Sequence, residues 1–233
     1  MRQYTSCYIA FIDLLGFKKY VESHSCDEIA FLFDEINTDY NITVKDNKTP
    51  WVSPEIVKMK VMSDTICLYT DASQSDALAK IVAACAYFQV RLLRMQTPIL
   101  SRGAIVRDNI YTNIDITFGP GVTRAYLLEE QLAVTPRIIL ENGLKESCYS
   151  TLTNQGKDYL DTYLYEDYDY LCVDSLFLFY GLCHEKDSWK DFAKYVITTI
   201  DKTSNDNVLN KYKYLYSRFP YITKKYMSYI DAQ

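Results

Sequence analysis

The first 140 residues alternate between short apolar runs, typical of buried strands, and longer stretches with helical periodicity. Residues 4–13 form a nearly continuous apolar run that ends at Asp13, and this run predicts a central strand. Residues 26–40 carry apolar side chains at the helical period, and residues 77–95 predict a long apolar helix. The chain therefore begins with a strand and places helices between its later strands.

Two further apolar runs, at 56–62 and 65–71, are separated only by a short turn that holds Asp64. This spacing predicts a β-hairpin with Asp64 at its tip. Residues 100–106 predict another central strand, and the polar stretch at 107–117 predicts a loop or a second hairpin.

A helix is predicted to begin at Pro120, because proline is favoured in the first helical turn. A short strand at 135–140 follows it. This order of elements indicates an α+β fold with an antiparallel or mixed sheet and helices packed on one side. We expect residues 1–140 to form the core domain and residues 141–233 to form a C-terminal helical extension packed on it. In the extension the pattern predicts helices at 155–164, 188–203 and 206–218, and a strand or hairpin at 170–180.

Composition narrows the possible partners and the compartment. The chain has 233 residues and a formal net charge of -5, so no basic field favours nucleic acid or an anionic membrane surface. Its apolar runs are shorter than the roughly 18 residues that span a bilayer. The seven cysteines show no CxxC spacing, which favours reduced thiols. We therefore expect a soluble cytoplasmic protein that binds neither nucleic acid nor a membrane.

The candidate chemistry rests on two aspartates. Asp13 and Asp64 each lie where an apolar strand ends, and a carboxylate beside a core strand is costly unless something compensates its charge. A divalent cation is the usual compensator, and two aspartates on adjacent strands would hold a metal pair for phosphate chemistry. This interpretation requires the first strand to lie beside the hairpin. The alternatives are a capping role for Asp13 and an ordinary turn role for Asp64.

Arg102 is unusual because it lies inside an apolar strand, where a long cation needs an anionic partner. The partner is either a nucleotide or an acidic side chain of the protein, and the sequence leaves both interpretations open. Only His24 and His184 are available for histidine chemistry, and neither lies in a motif. The sequence contains no P-loop motif, which excludes a P-loop NTPase.

Five motifs in order resemble class III nucleotidyl cyclases, and within them most closely the small bacterial pyrimidine cyclases of the Pycsar antiphage system. They are FIDLLGF at 11–17, SDTI at 63–66, RGAI at 102–105, FGPG followed by AYLLE at 118–129, and PRII at 136–139. The resemblance covers about residues 5–140, with a weaker similarity at 211–215.

The resemblance implies a head-to-tail homodimer with active sites at the subunit interface. It also implies conversion of UTP or CTP into 3′,5′-cyclic UMP or cyclic CMP and pyrophosphate, with UTP favoured. The cyclic product would activate a separately encoded effector during antiphage defence. Two alternatives stay open, namely an adenylyl or guanylyl cyclase of the same fold and a catalytically silent nucleotide sensor.

The resemblance also implies roles for single residues. Asp13 and Asp64 match the metal-binding aspartates, and the backbone carbonyl of Leu14 matches a further metal ligand, so two Mg²⁺ or Mn²⁺ ions are expected. Lys60 matches a base-reading position, although it equally suits a solvent-facing strand edge. Arg102 is the second candidate for contact with the nucleotide.

The helix that begins at Pro120 departs from the family pattern. Thr123 stands at the position of the transition-state asparagine, where we expect it to contact the substrate, and Leu127 replaces the usual arginine. We expect Arg124 to substitute as the group that stabilises the developing phosphoryl charge. The alternative is an exposed helix residue paired with a neighbour such as Glu129.

Overall fold

The structure is a computed structural model that describes residues 2–42, 56–184 and 187–231. Eight strands in this part of the chain form one sheet in the spatial order β2-β3-β1-β4-β6-β8-β7, and β5 pairs with β4. The strands are β1 (Thr5–Leu15), β2 (Lys58–Met62), β3 (Thr65–Asp71), β4 (Leu100–Thr112), β5 (Thr117–Phe118), β6 (Ile138–Leu140), β7 (Leu164–Asp167) and β8 (Tyr170–Val173). All the neighbouring strands are antiparallel except β4 and β6.

Nine helices lie in the described ranges, and most of them follow the predicted pattern. They are α1 (Phe17–Ser23), α2 (Cys26–Ile42), α3 (Ala77–Leu93), α4 (Pro120–Leu132), α5 (Leu144–Tyr149), α6 (Asn154–Tyr163), α7 (Ser175–Cys183), α8 (Asp187–Lys202) and α9 (Asp206–Asp231). Among the described residues, no helix combines the length and apolar character that a bilayer crossing requires.

Strand β1 lies at the centre of the sheet because its residues are apolar on both faces. It pairs with β3 on one side and with β4 on the other. Side chains such as Ile12 point into the large core that contains α3, and neighbours such as Ile9 point into a smaller cluster under α4. A continuous apolar run is typical of a strand covered on both faces.

The predicted α+β class with a mostly antiparallel sheet is confirmed. Most helices lie on the α3 side of the sheet, as expected, but α4 covers the opposite face. It packs closely there, because a Cβ atom at Gly121 would lie only 2.7 Å from Cδ1 of Ile9. Helix α4 lies there because β1, β3 and β4 have a second apolar face, and this face also has to be removed from water.

The sheet continues past residue 140, since β8 pairs with β6 and β7 pairs with β8. The segment 170–180, predicted as a strand or hairpin, is strand β8 followed by helix α7. Asp174 lies between the two as the residue that precedes α7. Helix α9 is also longer than predicted and extends to Asp231.

Buried charges fix α9 against the sheet. Asp174 is 1% exposed, and its carboxylate forms ion pairs with Nζ of Lys225 at 2.8 Å and with Nη2 of Arg218 at 3.4 Å. Nearer the start of α9, the hydroxyl of Tyr214 donates to Oδ2 of Asp167 at 2.8 Å. These contacts hold α9 beside the sheet from Tyr214 to Lys225.

Candidate active site

Backbone pairing places Asp13 and Asp64 next to each other, where β1 meets the start of β3. In the β1–β3 ladder Asp13 lies opposite Thr65, the residue that follows Asp64. The N–H of Leu14 donates to the backbone carbonyl of Asp64 at 2.9 Å. The strand adjacency that the metal-site interpretation requires is therefore present.

The carboxylate of Asp13 is paired within the chain. Nε of Arg102 donates to Oδ2 of Asp13 at 3.1 Å, and both side chains are 24% exposed. The same Nε lies 2.7 Å from Oε1 of Glu129 in α4, and Nη1 donates to the backbone carbonyl of Ala133 at 3.5 Å. Arg102 thus has the acidic side-chain partners that one of the two sequence interpretations describes.

Glu129 is the site residue that sequence reasoning missed. Its side chain is 3% exposed, and burial raises its pKa to about 7. The charge of Arg102 opposes this rise in pKa, and the charge of Asp13 adds to it. Glu129 ends the AYLLE motif and so was visible, but nothing in the sequence indicated that it lies buried beside Arg102.

Lys211 of α9 belongs to the same electrostatic environment. Burial lowers its pKa, the charge of Arg102 lowers it further, and the charge of Asp13 opposes the change. Two cations, Arg102 from β4 and Lys211 from α9, therefore interact with the carboxylate of Asp13. The C-terminal region thus reaches the site that the first 140 residues build.

The donor set fits a hard divalent cation. Such ions prefer carboxylate and carbonyl oxygens, which Asp13, Asp64 and the backbone of Leu14 supply. The carboxylate of Asp64 has no ion pair or hydrogen bond with another described residue. Within the described ranges, no group of three or more histidine, cysteine, aspartate and glutamate side chains forms a metal site. A metal would therefore rely on the two aspartates and backbone or substrate oxygens.

Lys60 lies on the same hairpin as Asp64, on the face that carries α4. In the β2–β3 ladder it is opposite Cys67, which belongs to the cluster beneath α4. Its ammonium donates to the backbone carbonyl of Ile114 in the turn between β4 and β5. The hairpin β4–β5 therefore borders the region that Lys60 faces.

Thr123 and Arg124 do not approach Asp13 within one chain. The hydroxyl of Thr123 donates to the carbonyl of Gly119 at 3.5 Å, so it turns back into the first helical turn. Arg124 is 52% exposed, and its Nη2 lies 2.6 Å from Oε1 of Glu141.

The second contact of Arg124 shows how far it lies from the aspartates. Its Nη1 is 3.6 Å from Oδ2 of Asp108. Asp108 lies six residues along β4 from Arg102, which corresponds to roughly 20 Å along a strand. Arg124 also pairs with Glu141 and Asp108 rather than with Glu129. One chain thus brings together Asp13, Leu14, Asp64 and Arg102, but not Thr123 or Arg124.

No protein-family model matches this chain, and no curated protein matches it either. Among solved structures, this chain is similar to the catalytic core of a rhodopsin-guanylyl cyclase with converted specificity in complex with ATPαS. The TM-score is 0.50 at 15% identity, and the match covers 62% of this chain and 82% of that one. The monomeric guanylyl cyclase domain of the RhoGC fusion protein from the aquatic fungus Blastocladiella emersonii matches with a TM-score of 0.50 at 15% identity, covering 63% of this chain and 86% of that one.

The chain has the class III nucleotidyl cyclase fold. The cyclase-like fold predicted from the sequence is therefore confirmed. At 15% identity, what this chain shares with these cyclase domains is the fold. The matched length includes most of each cyclase domain.

Proposed function

We propose that this protein is a metal-dependent nucleotidyl cyclase. The observation that carries the proposal is the position of Asp13 and Asp64, two acidic residues that the pairing of β1 with β3 brings together in a cyclase fold. Arg102 compensates Asp13 within the chain, and a divalent cation would compensate Asp64 and share the second carboxylate oxygen of Asp13. Both aspartates would then serve as metal ligands for phosphoryl transfer.

The reaction joins the ribose 3′-oxygen to the α-phosphorus and breaks the bond between that phosphorus and the oxygen that bridges to the β-phosphate. The electron pair of the broken bond leaves with pyrophosphate, and the proton of the 3′-hydroxyl passes to solvent. Asp13, Asp64 and the carbonyl of Leu14 would hold two Mg²⁺ or Mn²⁺ ions. Such ions, when bound, lower the pKa of the 3′-hydroxyl and neutralise the leaving pyrophosphate.

Two cationic side chains on the α4 face of the sheet are available for the nucleotide. Arg102 lies beside Asp13 and would contact phosphate once the triphosphate is bound. Lys60 lies further along the hairpin and would contact the base, in exchange for its bond to the carbonyl of Ile114. Both assignments follow the motif resemblance and the position of these residues.

We propose that the active enzyme is a homodimer. Thr123 and Arg124 lie away from Asp13 in their own chain, so a second copy would have to supply them to the site. Exposed apolar side chains surround the same face and support an interface between copies. They include Phe118, Tyr126 and Leu127, which are 47%, 41% and 42% exposed, and Ile114, which is 90% exposed.

We further propose that the substrate is a pyrimidine nucleoside triphosphate, UTP before CTP, and that the cyclic product is a second messenger in antiphage defence. The order and spacing of the five motifs support this preference. In this proposal the effector meets the enzyme only through the product, and the reaction takes place in the cytoplasm. The free state of all seven cysteines agrees with a reducing compartment.

Two other functions are compatible with the same fold. An adenylyl or guanylyl cyclase would keep the mechanism and change the base. A catalytically silent nucleotide sensor is favoured by the state of α4, where Leu127 occupies the usual arginine position and Arg124 pairs with Glu141.

Product identification tests the proposal. Purified protein is incubated with Mn²⁺ and each of ATP, GTP, CTP and UTP, and the products are identified by mass. We expect a cyclic pyrimidine monophosphate, chiefly cyclic UMP, and pyrophosphate in equal amount. Cyclic AMP or cyclic GMP would overturn the pyrimidine assignment, and nucleotide binding without any product would favour the silent sensor.

A further inference from the structure

The guanidinium of Arg102 lies between two carboxylates from different elements. Its Nε is 3.1 Å from Oδ2 of Asp13 on β1 and 2.7 Å from Oε1 of Glu129 on α4. Its Nη1 also donates to the carbonyl of Ala133, just after α4, at 3.5 Å. Helix α4 is therefore connected to the proposed metal ligand through a single side chain.

Glu129 adds a third negative charge to a site in which two cations face two aspartates. Arg102 pairs with Asp13 and Lys211 interacts with it, Asp64 lies beside Asp13, and Glu129 lies on the other side of Arg102. The side chain of Glu129 is 3% exposed, so water and salt screen its charge weakly. Without that charge, Arg102 and Lys211 would offset the charges of both Asp13 and Asp64, which weakens the attraction of the site for a divalent cation.

We propose that Glu129 is a positioning residue for the metal site: its carboxylate holds and neutralises Arg102, so that Asp13 stays available to a divalent cation. The proposal rests on the proposed function, because it takes Asp13 as a metal ligand. Glu129 itself touches neither the metal nor the substrate. It acts only through the guanidinium of Arg102.

The test measures the binding of Mn²⁺ alone, without nucleotide, by electron paramagnetic resonance titration. The buffer pH is above 7, so that Glu129, with a pKa of about 7, is ionised. Glu129→Gln keeps the shape and removes the charge, and we expect it to raise the dissociation constant of Mn²⁺ at least about tenfold, because loss of a contact that supports a metal ligand typically costs about 10- to 100-fold in affinity. Glu130→Gln is the matched control, because it removes the same charge from the exposed next residue of α4.

A second variant separates this role from a merely structural one. Adding Arg102→Gln to Glu129→Gln removes the cation that Glu129 compensates. We expect the double variant to bind Mn²⁺ within about threefold of the wild type, because the two changes are coupled through one contact. A purely structural defect in α4 would not be restored by a second substitution in the same contact.

The outcomes distinguish a failure of the positioning role of Glu129 from a failure of the metal site itself. Wild-type affinity in Glu129→Gln, or a double variant as weak as Glu129→Gln, overturns the positioning role. Asp13→Asn provides the reference for the metal site itself. If Asp13→Asn weakens Mn²⁺ binding and Glu129→Gln does not, only this inference fails. If Asp13→Asn binds Mn²⁺ like the wild type, the metal site of the proposed function fails together with it.

Discussion

Replacing Asp174 by asparagine should destabilise the protein strongly. Asp174 is 1% exposed and is paired with Lys225 and Arg218, whose side chains are 20% and 12% exposed. Asp174→Asn leaves both cations partly buried without a counter-charge. Breaking a buried ion pair in this way costs about 3–5 kcal/mol, and the residual exposure of the cations lowers the expected loss to about 2–4 kcal/mol.

Thermal and urea unfolding measure this loss. For a chain of this length, about 2–4 kcal/mol corresponds to a fall in Tm of roughly 5–15 °C. Asp187→Asn is the matched control, because Asp187 is 91% exposed and its contact with Lys190 at 3.8 Å should contribute almost nothing. Equal stability of the two variants would refute the claim that Asp174 anchors α9 to the rest of the chain.

Three further predictions follow from other parts of the structure. Gly103→Ala should lower the free energy of unfolding by about 1–3 kcal/mol in urea titrations, because the new Cβ would lie 2.6 Å from the backbone oxygen of Phe11; an unchanged midpoint would contradict this close approach. A thiol reagent should label one cysteine quickly in the native protein, since Cys26 is exposed and all the others are buried; Cys26→Ser should abolish the fast phase, and a remaining fast phase would show that another thiol is accessible. The raised pKa of Glu129, from 4.5 to about 7, means that the folded protein binds this proton more tightly than the unfolded chain. The resulting stability is therefore present below about pH 4.5 and is lost as the pH rises through 7. Glu129→Gln should reduce this slope in denaturation curves measured across that range, and an unaltered slope would contradict the assignment.

Local patterns predicted the elements that position the two aspartates. The hairpin around Asp64 was predictable because two apolar runs separated by a short turn leave few other solutions. The central position of β1 followed from an apolar run with one terminal carboxylate. The sequence could not show that Asp64 and Leu14 share a backbone hydrogen bond, but it did indicate which strands had to meet.

Segments buried on every side were harder to predict. Helix α7 was interpreted as part of a strand or hairpin because its sequence is apolar throughout and therefore shows no helical period. Helix α4 was expected on the same side of the sheet as the other helices. An apolar strand does not reveal which helix covers which of its two faces.

The charged contacts of the site depended on distant parts of the chain. The sequence predicted that Arg102 needs an anionic partner, but two partners were possible in principle. Glu129 is 27 residues away from it in the sequence, and its burial results from the packing of α4 on the sheet. Lys211 begins the segment 211–215 that shows the weaker similarity, but that similarity did not indicate that its helix approaches Asp13.

The most direct test of the central claim is the rate of cyclic nucleotide formation by wild-type protein, Asp64→Asn and the control Asp158→Asn, with Mn²⁺ and the preferred triphosphate. Asp158 is an exposed aspartate of α6, far along the chain from the site. We expect the wild type and Asp158→Asn to form cyclic UMP at similar rates. Asp64→Asn should be slower by at least about hundredfold, since loss of a direct metal ligand should exceed the 10- to 100-fold effect of losing its supporting contacts. An unchanged rate in Asp64→Asn would contradict the central claim, as would a folded wild-type protein that forms no cyclic nucleotide from any of the four triphosphates.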